Sequence, residues 1–263
     1  MQDVEKRRKA LENALSKTEN LIDLFSRTVR KDWESEPSKS DFSKAVEKLI
    51  PQAVKAPEAS ISHLDEDIRL STDLNGLKND CLTCKRCRLC QTRTNTVFGE
   101  GCEDRPDVFV VGEGPGETED QTGRPFTGKA GVLLEKMLAS ISLYRTENCY
   151  ISNVVKCRPP ENRDPMPDEK NICGVYLKQQ ISLLRPKAIL CLGRNAANYL
   201  TGEDNSSMAQ LRGRFFFYER SIPLISTYHP AAVLRNPELK RPVWEDLKKL
   251  ATFLNLDIAG GSR

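Results

Sequence analysis

Short apolar runs recur along the chain after about residue 107, and each ends at a glycine or a polar residue. They cover residues 108–111, 149–155, Ala188–Leu192 and Ile222–Thr227, and such runs are typical of strands buried on both faces. Apolar residues at helical spacing follow the first run (132–141) and the third (195–200). This alternation predicts an α/β fold, a three-layer αβα domain with a mainly parallel four-stranded central sheet. Phe215–Tyr218 is predicted to be a hairpin partner of the last strand.

The first 64 residues follow a different pattern. Apolar residues at heptad-like spacing predict a long amphipathic helix over residues 1–33. A second short helix, which ends at Pro51, lies between Ser-, Pro- and Lys-rich linkers. We therefore predict a helical N-terminal extension over residues 1–64 and an α/β domain over residues 65–263. The extension either packs on the main domain or binds an unknown protein partner.

Charge and hydropathy exclude some classes of protein and leave others open. The net charge is only +3 over 263 residues, so a nucleic-acid partner would depend on local clustering of basic residues. There is no long apolar span, and residues 1–9 are mostly charged. The sequence therefore predicts no membrane helix and no signal peptide, and it favours a cytoplasmic protein.

Nine cysteines are unevenly distributed, and four of them, Cys81, Cys84, Cys87 and Cys90, stand three residues apart. In a cytoplasmic chain this grouping indicates metal or cluster ligation before disulfides. By itself the run is similar to a ferredoxin or a four-cysteine zinc site. Cys191 lies inside an apolar run and is predicted to be an inert core thiol.

A loop rich in glycine and carboxylates follows the first strand. It fails the dinucleotide-binding pattern because Glu117 stands where the third glycine belongs, and it fails the P-loop pattern because Ala130 replaces the serine or threonine. Glu113, Asn153 and His229 each follow or end a predicted strand. Since the carboxyl ends of parallel strands meet at one edge of a sheet, we expect these three side chains to lie close together.

Several blocks of the sequence resemble one known family. From about Leu77 to the end, the chain is similar to the type-4, iron-sulfur uracil-DNA glycosylases. The matching blocks are VFGEG at 97–101, GEGPGE at 112–117, GRPFTGKAG at 123–131, SNVVKCRPP at 152–160, PDE at 167–169 and HPA at 229–231. They occur in the family's order over about two thirds of the chain, which is far more specific than any single motif.

The resemblance implies a monofunctional DNA repair enzyme. Such an enzyme flips deoxyuridine out of DNA, hydrolyses its N-glycosidic bond and leaves an abasic site for base excision repair. The implied partners are single- and double-stranded DNA containing uracil, with free uracil as product, and the implied state is a monomer associated with the nucleoid. The alternatives are a non-catalytic module that binds DNA or uracil, and a ferredoxin-like cluster protein.

The resemblance also assigns roles to individual residues. Phe126 stacks on the base, and Asn153 accepts a hydrogen bond from uracil N3–H and donates one to O4, a pattern that cytosine reverses. His229 donates toward O2 and stabilises the departing anion. The backbone of Gly112, Glu113 and Gly114 lines the pocket. Glu113 is the first candidate for the catalytic carboxylate and Glu119 the second. A strand-capping asparagine and a structural histidine are the alternative interpretations.

The cofactor that the resemblance implies is a [4Fe-4S] cluster. In this family two cysteines precede the first block and two follow the asparagine, and the matching positions are Cys84, Cys87, Cys157 and Cys173. Four thiolates are what such a cluster requires. Cys81 and Cys90 extend the repeat on both sides, and either could be an alternative ligand.

Basic and apolar residues near the strand ends predict a DNA-binding rim. The basic candidates are Lys156, Arg158, Arg163, Arg124, Arg194 and Arg235, which would contact phosphates. Residues 231–236 are predicted to form a wedge that enters the duplex, with Val233 and Leu234 as its apolar side chains.

Overall fold

A six-stranded sheet forms the centre of the protein in the computed structural model, which describes residues 71–203 and 205–258. The predicted N-terminal helices lie outside the described residues. The sheet order is β1-β3-β2-β4-β6-β5. The strands are β1 Glu100–Gly101, β2 Val108–Gly112, β3 Cys149–Asn153, β4 Ala188–Leu192, β5 Phe215–Tyr218 and β6 Ile222–Thr227. β3, β2, β4 and β6 are parallel, which confirms the predicted parallel core.

The two outer strands make the sheet wider than the sequence predicts. β5 pairs antiparallel with β6, as predicted, whereas β1 is a two-residue strand antiparallel to β3 and is too short to leave a pattern. β3 is also shorter than the apolar run that predicts it. The backbone N–H groups of Val154 and Val155 donate to the carbonyls of Gly112 and Glu113, so the chain after β3 stays bonded to the residues at the end of β2.

Helices cover both faces of the sheet. They are α1 Leu74–Leu82, α2 Glu117–Thr122, α3 Lys129–Ala139, α4 Pro167–Leu184, α5 Arg194–Thr201, α6 Met208–Leu211, α7 Pro230–Arg235 and α8 Lys240–Leu254. Within β2, Phe109 and Val111 pack with α1, α4 and α5. Val108 and Val110 pack with α3, α7 and α8. This alternation confirms three layers, with the strands buried between two helical layers.

Two sequence-based expectations can be compared with the described residues. Cys191 is fully buried within β4, as predicted for an inert core thiol. None of the helices in the described ranges is long and apolar enough to cross a bilayer.

The register of the parallel strands determines where the polar groups emerge. Gly112 and Asn153 are direct partners at the ends of β2 and β3, and Leu192 and Thr227 are partners at the ends of β4 and β6. The loops that follow these four strands therefore open at the same edge of the sheet.

Candidate active site

A cleft of about 540 Å³ lies at the carboxyl edge of the sheet. Six of the predicted site residues line it: Glu113, Gly114, Glu119, Phe126, Asn153 and His229. Gly112 lies behind them at the end of β2. The strand ends thus bring together side chains that are far apart in sequence.

Phe126 forms one wall of the cleft and has an unusual backbone. Its φ angle is 53°, a left-handed conformation that is rare for a bulky side chain. Arg145 supports this conformation, because its guanidinium donates to the carbonyls of Pro125 at 2.7 Å and Phe126 at 3.2 Å. The ring centroid of Phe126 lies 5.6 Å from that of His229.

Gly112 allows the ring and the amide to approach each other closely. A Cβ at this position would lie 2.3 Å from Asn153 Oδ1 and 2.6 Å from Phe126 Cζ, which is closer than packed atoms come. Only a residue without a side chain fits here. The backbone at the end of β2 therefore forms the floor between the aromatic ring and the amide.

Asn153 ends β3 and is only 1% exposed. Its Oδ1 atom is buried and has no hydrogen-bond partner among the described residues. A buried acceptor without a partner costs roughly 1–3 kcal/mol, and such atoms call for an explanation. Oδ1 does not cap the local backbone, so the capping interpretation has no support, and a ligand that donates an N–H would satisfy the atom.

His229 precedes α7, and one ring nitrogen is already used. Its Nδ1 accepts from the Ala231 N–H at 3.1 Å, which places the proton of a neutral ring on Nε2. Burial lowers the pKa of His229 and the Arg235 charge adds to this shift, while Glu119 opposes it, and the resulting pKa is about 4. The ring is therefore a neutral donor at physiological pH, and its structural bond leaves Nε2–H available to a ligand.

The two candidate carboxylates differ in what they contact. Glu119 bridges two helix starts: its Oε2 accepts from the Gly116 N–H at 3.1 Å, and its Oε1 accepts from Thr127 N–H at 2.9 Å and Gly128 N–H at 2.8 Å. Burial raises the pKa of Glu113, and the Asp164 charge adds to this, while a hydrogen bond to Asn195 opposes it. A raised pKa suits a general base.

The cysteines line a second, separate pocket. Its walls include the four predicted ligands and the two open candidates: Cys81, Cys84, Cys87, Cys90, Cys157 and Cys173. Arg93 donates from Nη1 to Cys157 Sγ at 3.0 Å and from Nη2 to the Cys84 carbonyl at 2.8 Å. Within the described ranges, no three His, Cys, Asp or Glu side chains come close enough to hold a single metal ion. A four-iron cube is wider than one ion, so its ligands stand further apart.

A family model described as the uracil DNA glycosylase superfamily matches residues 98–248. This range includes all four parallel strands and every cleft residue discussed above. The chain belongs to the uracil DNA glycosylase superfamily.

Curated members of this superfamily resemble the chain over most of their length. It is 45% identical to a type-4 uracil-DNA glycosylase of Sulfurisphaera tokodaii over 67% of this chain and 83% of the relative. A type-4 uracil-DNA glycosylase of Archaeoglobus fulgidus is also 45% identical, over 67% of this chain and 91% of the relative. A type-4 uracil-DNA glycosylase of Thermotoga maritima is 45% identical over 65% of this chain and 89% of the relative. The similarity to glycosylases thus covers the α/β domain.

The neutral state of His229 gives a testable titration. A His63→Gln variant leaves His229 as the one imidazole in the chain. At neutral pH its ring nitrogens should show the NMR chemical shifts of a neutral histidine protonated at Nε2, and the ring should become protonated with a midpoint near pH 4. Because the unfolded chain takes up this proton near pH 6.5, the free energy of unfolding should fall as the pH drops from about 6.5 toward 4. A His229→Gln variant should lack this loss. A transition near pH 6.5 in the folded protein would contradict the assignment.

The structure corrects part of the predicted DNA-binding rim and wedge. Lys156 is 1% exposed and cannot reach a phosphate. Arg124 is paired with Glu100 at 2.6 Å and Arg163 with Glu169 at 2.7 Å. Arg194 and Arg235 also line the cleft, and neither has such a short ion pair with another described residue. Residues 230–235 form α7. Val233 faces the core, and only Leu234, at 49% exposure, projects as a wedge would.

Three residues near the two pockets are missing from the sequence prediction. Asn195 and Tyr228 line the cleft, and each follows a predicted strand, so the strand-end rule that finds Glu113 also applies to them. Arg93 contacts two cysteine segments, but it lies outside the matching blocks of the family. No local pattern distinguishes it from a surface arginine.

Proposed function

We propose that this chain excises uracil from DNA by hydrolysing the N-glycosidic bond of deoxyuridine, which leaves an abasic site for base excision repair. The observation that carries the proposal is the buried Oδ1 of Asn153, which has no hydrogen-bond partner in the described part of the chain and lies beside Phe126 and Gly112. Uracil N3–H is the donor that this acceptor lacks. The names of the type-4 relatives support the same reaction.

Base selection follows from the cleft walls. A flipped uracil would stack on Phe126, with N3–H donating to Asn153 Oδ1 and O4 accepting from Asn153 Nδ2. Cytosine presents an acceptor at N3 and a donor at its amino group, so both contacts would become repulsive. The cost of leaving buried polar groups unpaired is what gives such sites their discrimination.

Bond cleavage needs a stabilised leaving group and a water molecule. As the C1′–N1 bond breaks, its electron pair goes to the uracil ring, and Nε2–H of neutral His229 donates to O2, where the charge collects. Glu113 accepts a proton from the attacking water, whose oxygen bonds to C1′. The proton finally neutralises the uracil anion, so uracil and an abasic deoxyribose are the products. Glu119, with both oxygens held by backbone N–H groups, positions the Phe126 loop and the neighbouring face of the pocket.

We propose that the second pocket holds a [4Fe-4S] cluster on Cys84, Cys87, Cys157 and Cys173. All four thiols line one cavity. The Arg93 guanidinium donates a hydrogen bond to Cys157 Sγ. When bound, the cluster supplies thiolate–iron bonds that tie two distant segments together. Because half of the set comes from residues 157 and 173, the pocket differs from a ferredoxin motif built on one short run.

Single cysteine variants test this ligand set. We expect Cys157→Ala to lower the iron content and the charge-transfer absorbance at least about tenfold, because one thiolate of the set is lost. Cys102→Ala is the matched control, since Cys102 lies beside Cys149 at the end of β1 and outside the pocket, and it should retain full iron. If the cluster survives Cys157→Ala but is lost in Cys81→Ala or Cys90→Ala, the proposed ligand set is wrong.

The activity has a direct test. Purified, cluster-loaded protein should release uracil from single- and double-stranded oligonucleotides without added metal, and alkali should then cleave the abasic strand. Oligonucleotides with thymine or cytosine at the same position are the controls and should stay intact. Tight binding of the uracil strand without release would favour a non-catalytic binding module, and an intact strand without binding would refute the proposal.

The remaining assignments complete this picture of a repair enzyme. We propose that the protein acts as a monomer in the cytoplasm, associated with the nucleoid, and that the segment of residues 1–64 recruits a protein partner. Size determination of the purified protein would test the monomeric state.

A further inference from the structure

Lys156 is a buried lysine that neither the cleft chemistry nor the cysteine ligand set uses. It is 1% exposed, and lysine is almost never so buried unless its ammonium is paired. Its Nζ donates to Ser152 Oγ at 2.6 Å, to the Asn153 carbonyl at 2.7 Å and to Gln180 Oε1 at 2.7 Å. All three donor positions are filled, and one of them fixes the backbone of the base-reading asparagine.

The main chain of the same residue reaches the other pocket. The Lys156 N–H donates to Cys173 Sγ at 3.2 Å, and its carbonyl accepts from the Val97 N–H at 2.8 Å. The turn between Asn153 and Lys156 is itself held on β2, through the Val154 and Val155 N–H groups. A short, fully bonded turn therefore joins the cysteine pocket to the floor of the cleft.

The charge of Lys156 needs compensation that the three acceptors do not provide. A hydroxyl, a peptide carbonyl and an amide carbonyl are all neutral, and a buried ammonium is costly unless an anion lies near. Lys156 lines the cysteine pocket together with Cys157 and Cys173, two of the four proposed cluster ligands. Thiolates of a bound cluster would supply the missing negative charge.

We propose that Lys156 is a positioning residue that couples the cysteine pocket to Asn153, so that cluster binding and uracil binding strengthen each other. The uracil half of this inference rests on the proposed function. By reciprocity, whatever the cluster adds to uracil affinity, uracil adds to cluster retention.

Four proteins test the coupling: wild type, Lys156→Met, Lys156→Arg and the control Lys187→Met, which removes an exposed lysine paired with Asp107. Three quantities are measured for each protein. They are the inhibition of uracil release by free uracil, the rate at which a chelator removes the cluster, and the hydrogen exchange of the backbone amides in the 153–156 turn. For Lys156→Met we expect about tenfold to hundredfold weaker uracil inhibition and cluster loss faster by a similar factor. Exchange of the Val154 and Val155 amides should also rise.

The control and the second variant keep the inference falsifiable. Lys187→Met should match wild type in all three readouts. If Lys156→Met does not fold, Lys156→Arg decides, because it keeps the charge but changes its reach, and it should show the same changes in weaker form. Wild-type values in the variant, or a change in only one pocket, would overturn the coupling. If wild type itself neither binds nor releases uracil, the proposed function fails, while chelation and exchange still report on Lys156.

Discussion

Asn153→Ala is expected to slow uracil release on the order of 10³-fold, because a site built around a substrate hydrogen bond depends on it strongly. In the proposed function, the amide contributes two contacts to uracil and also excludes cytosine. Single-turnover release from a uracil oligonucleotide, measured with enzyme in excess, isolates the effect on the bond-breaking step.

The same substitution should cost the folded protein little. Asn153 Oδ1 has no partner in the described part of the chain, so its removal takes away an unsatisfied buried acceptor rather than a bond. We expect the melting temperature to stay within a few degrees of wild type. A large loss of activity with an unchanged melting temperature would identify a functional rather than structural asparagine.

Asn153→Asp provides the matched control because it keeps the shape and Oδ1 but loses the Nδ2–H donor. Uracil release should fall about as far as in Asn153→Ala, while the cytosine amino group gains an acceptor in the pocket. Near-normal uracil release by both variants would contradict the assigned base contact.

His229→Ala is expected to lower the rate of release by about 10²–10³-fold, the usual effect of removing one donor to a developing oxyanion. The imidazole also caps α7 through Nδ1, so this variant should lose about 1 kcal/mol of stability as well. Single-turnover rates and thermal unfolding on the same preparations would measure both effects.

His229→Asn separates the two roles. Asparagine is a favourable N-cap residue, so it should restore most of the lost stability, but its side chain is too short to reach O2. The rate should therefore stay low while the melting temperature recovers. Recovery of the rate together with the stability would show that His229 acts only through the helix.

The sequence predicts the parallel core and the cleft because both depend on local signals. The apolar runs that form β2, β4 and β6 are short and bounded by glycine or polar residues, and parallel strands must present their ends at one edge. Glu113, Asn153 and His229 follow from this rule without any knowledge of side-chain contacts. The matching blocks then add chemical roles that periodicity alone does not provide.

Other features depend on distant parts of the chain and leave no local pattern. Lys156 is predicted as a phosphate contact because lysines at strand ends are usually solvated, whereas Gln180, from α4, makes a buried site for it. Val233 is predicted as a wedge because it is an apolar residue in the segment after His229, but this segment forms α7 and turns Val233 toward the core. In both cases tertiary packing overrides the local expectation.

The left-handed backbone of Phe126 has a consequence for how this enzyme can vary. A Cβ on Gly131 would lie 1.8 Å from the Phe126 carbonyl, so the first turn of α3 is pressed against the residue that carries the stacking ring. Arg145, which is bonded to Glu135 on the same helix, holds that carbonyl from the other side. A helix and a guanidinium outside the cleft thus set the orientation of the ring. In the proposed function, natural variation at these supporting positions would change base affinity while every residue proposed to contact the base stays the same.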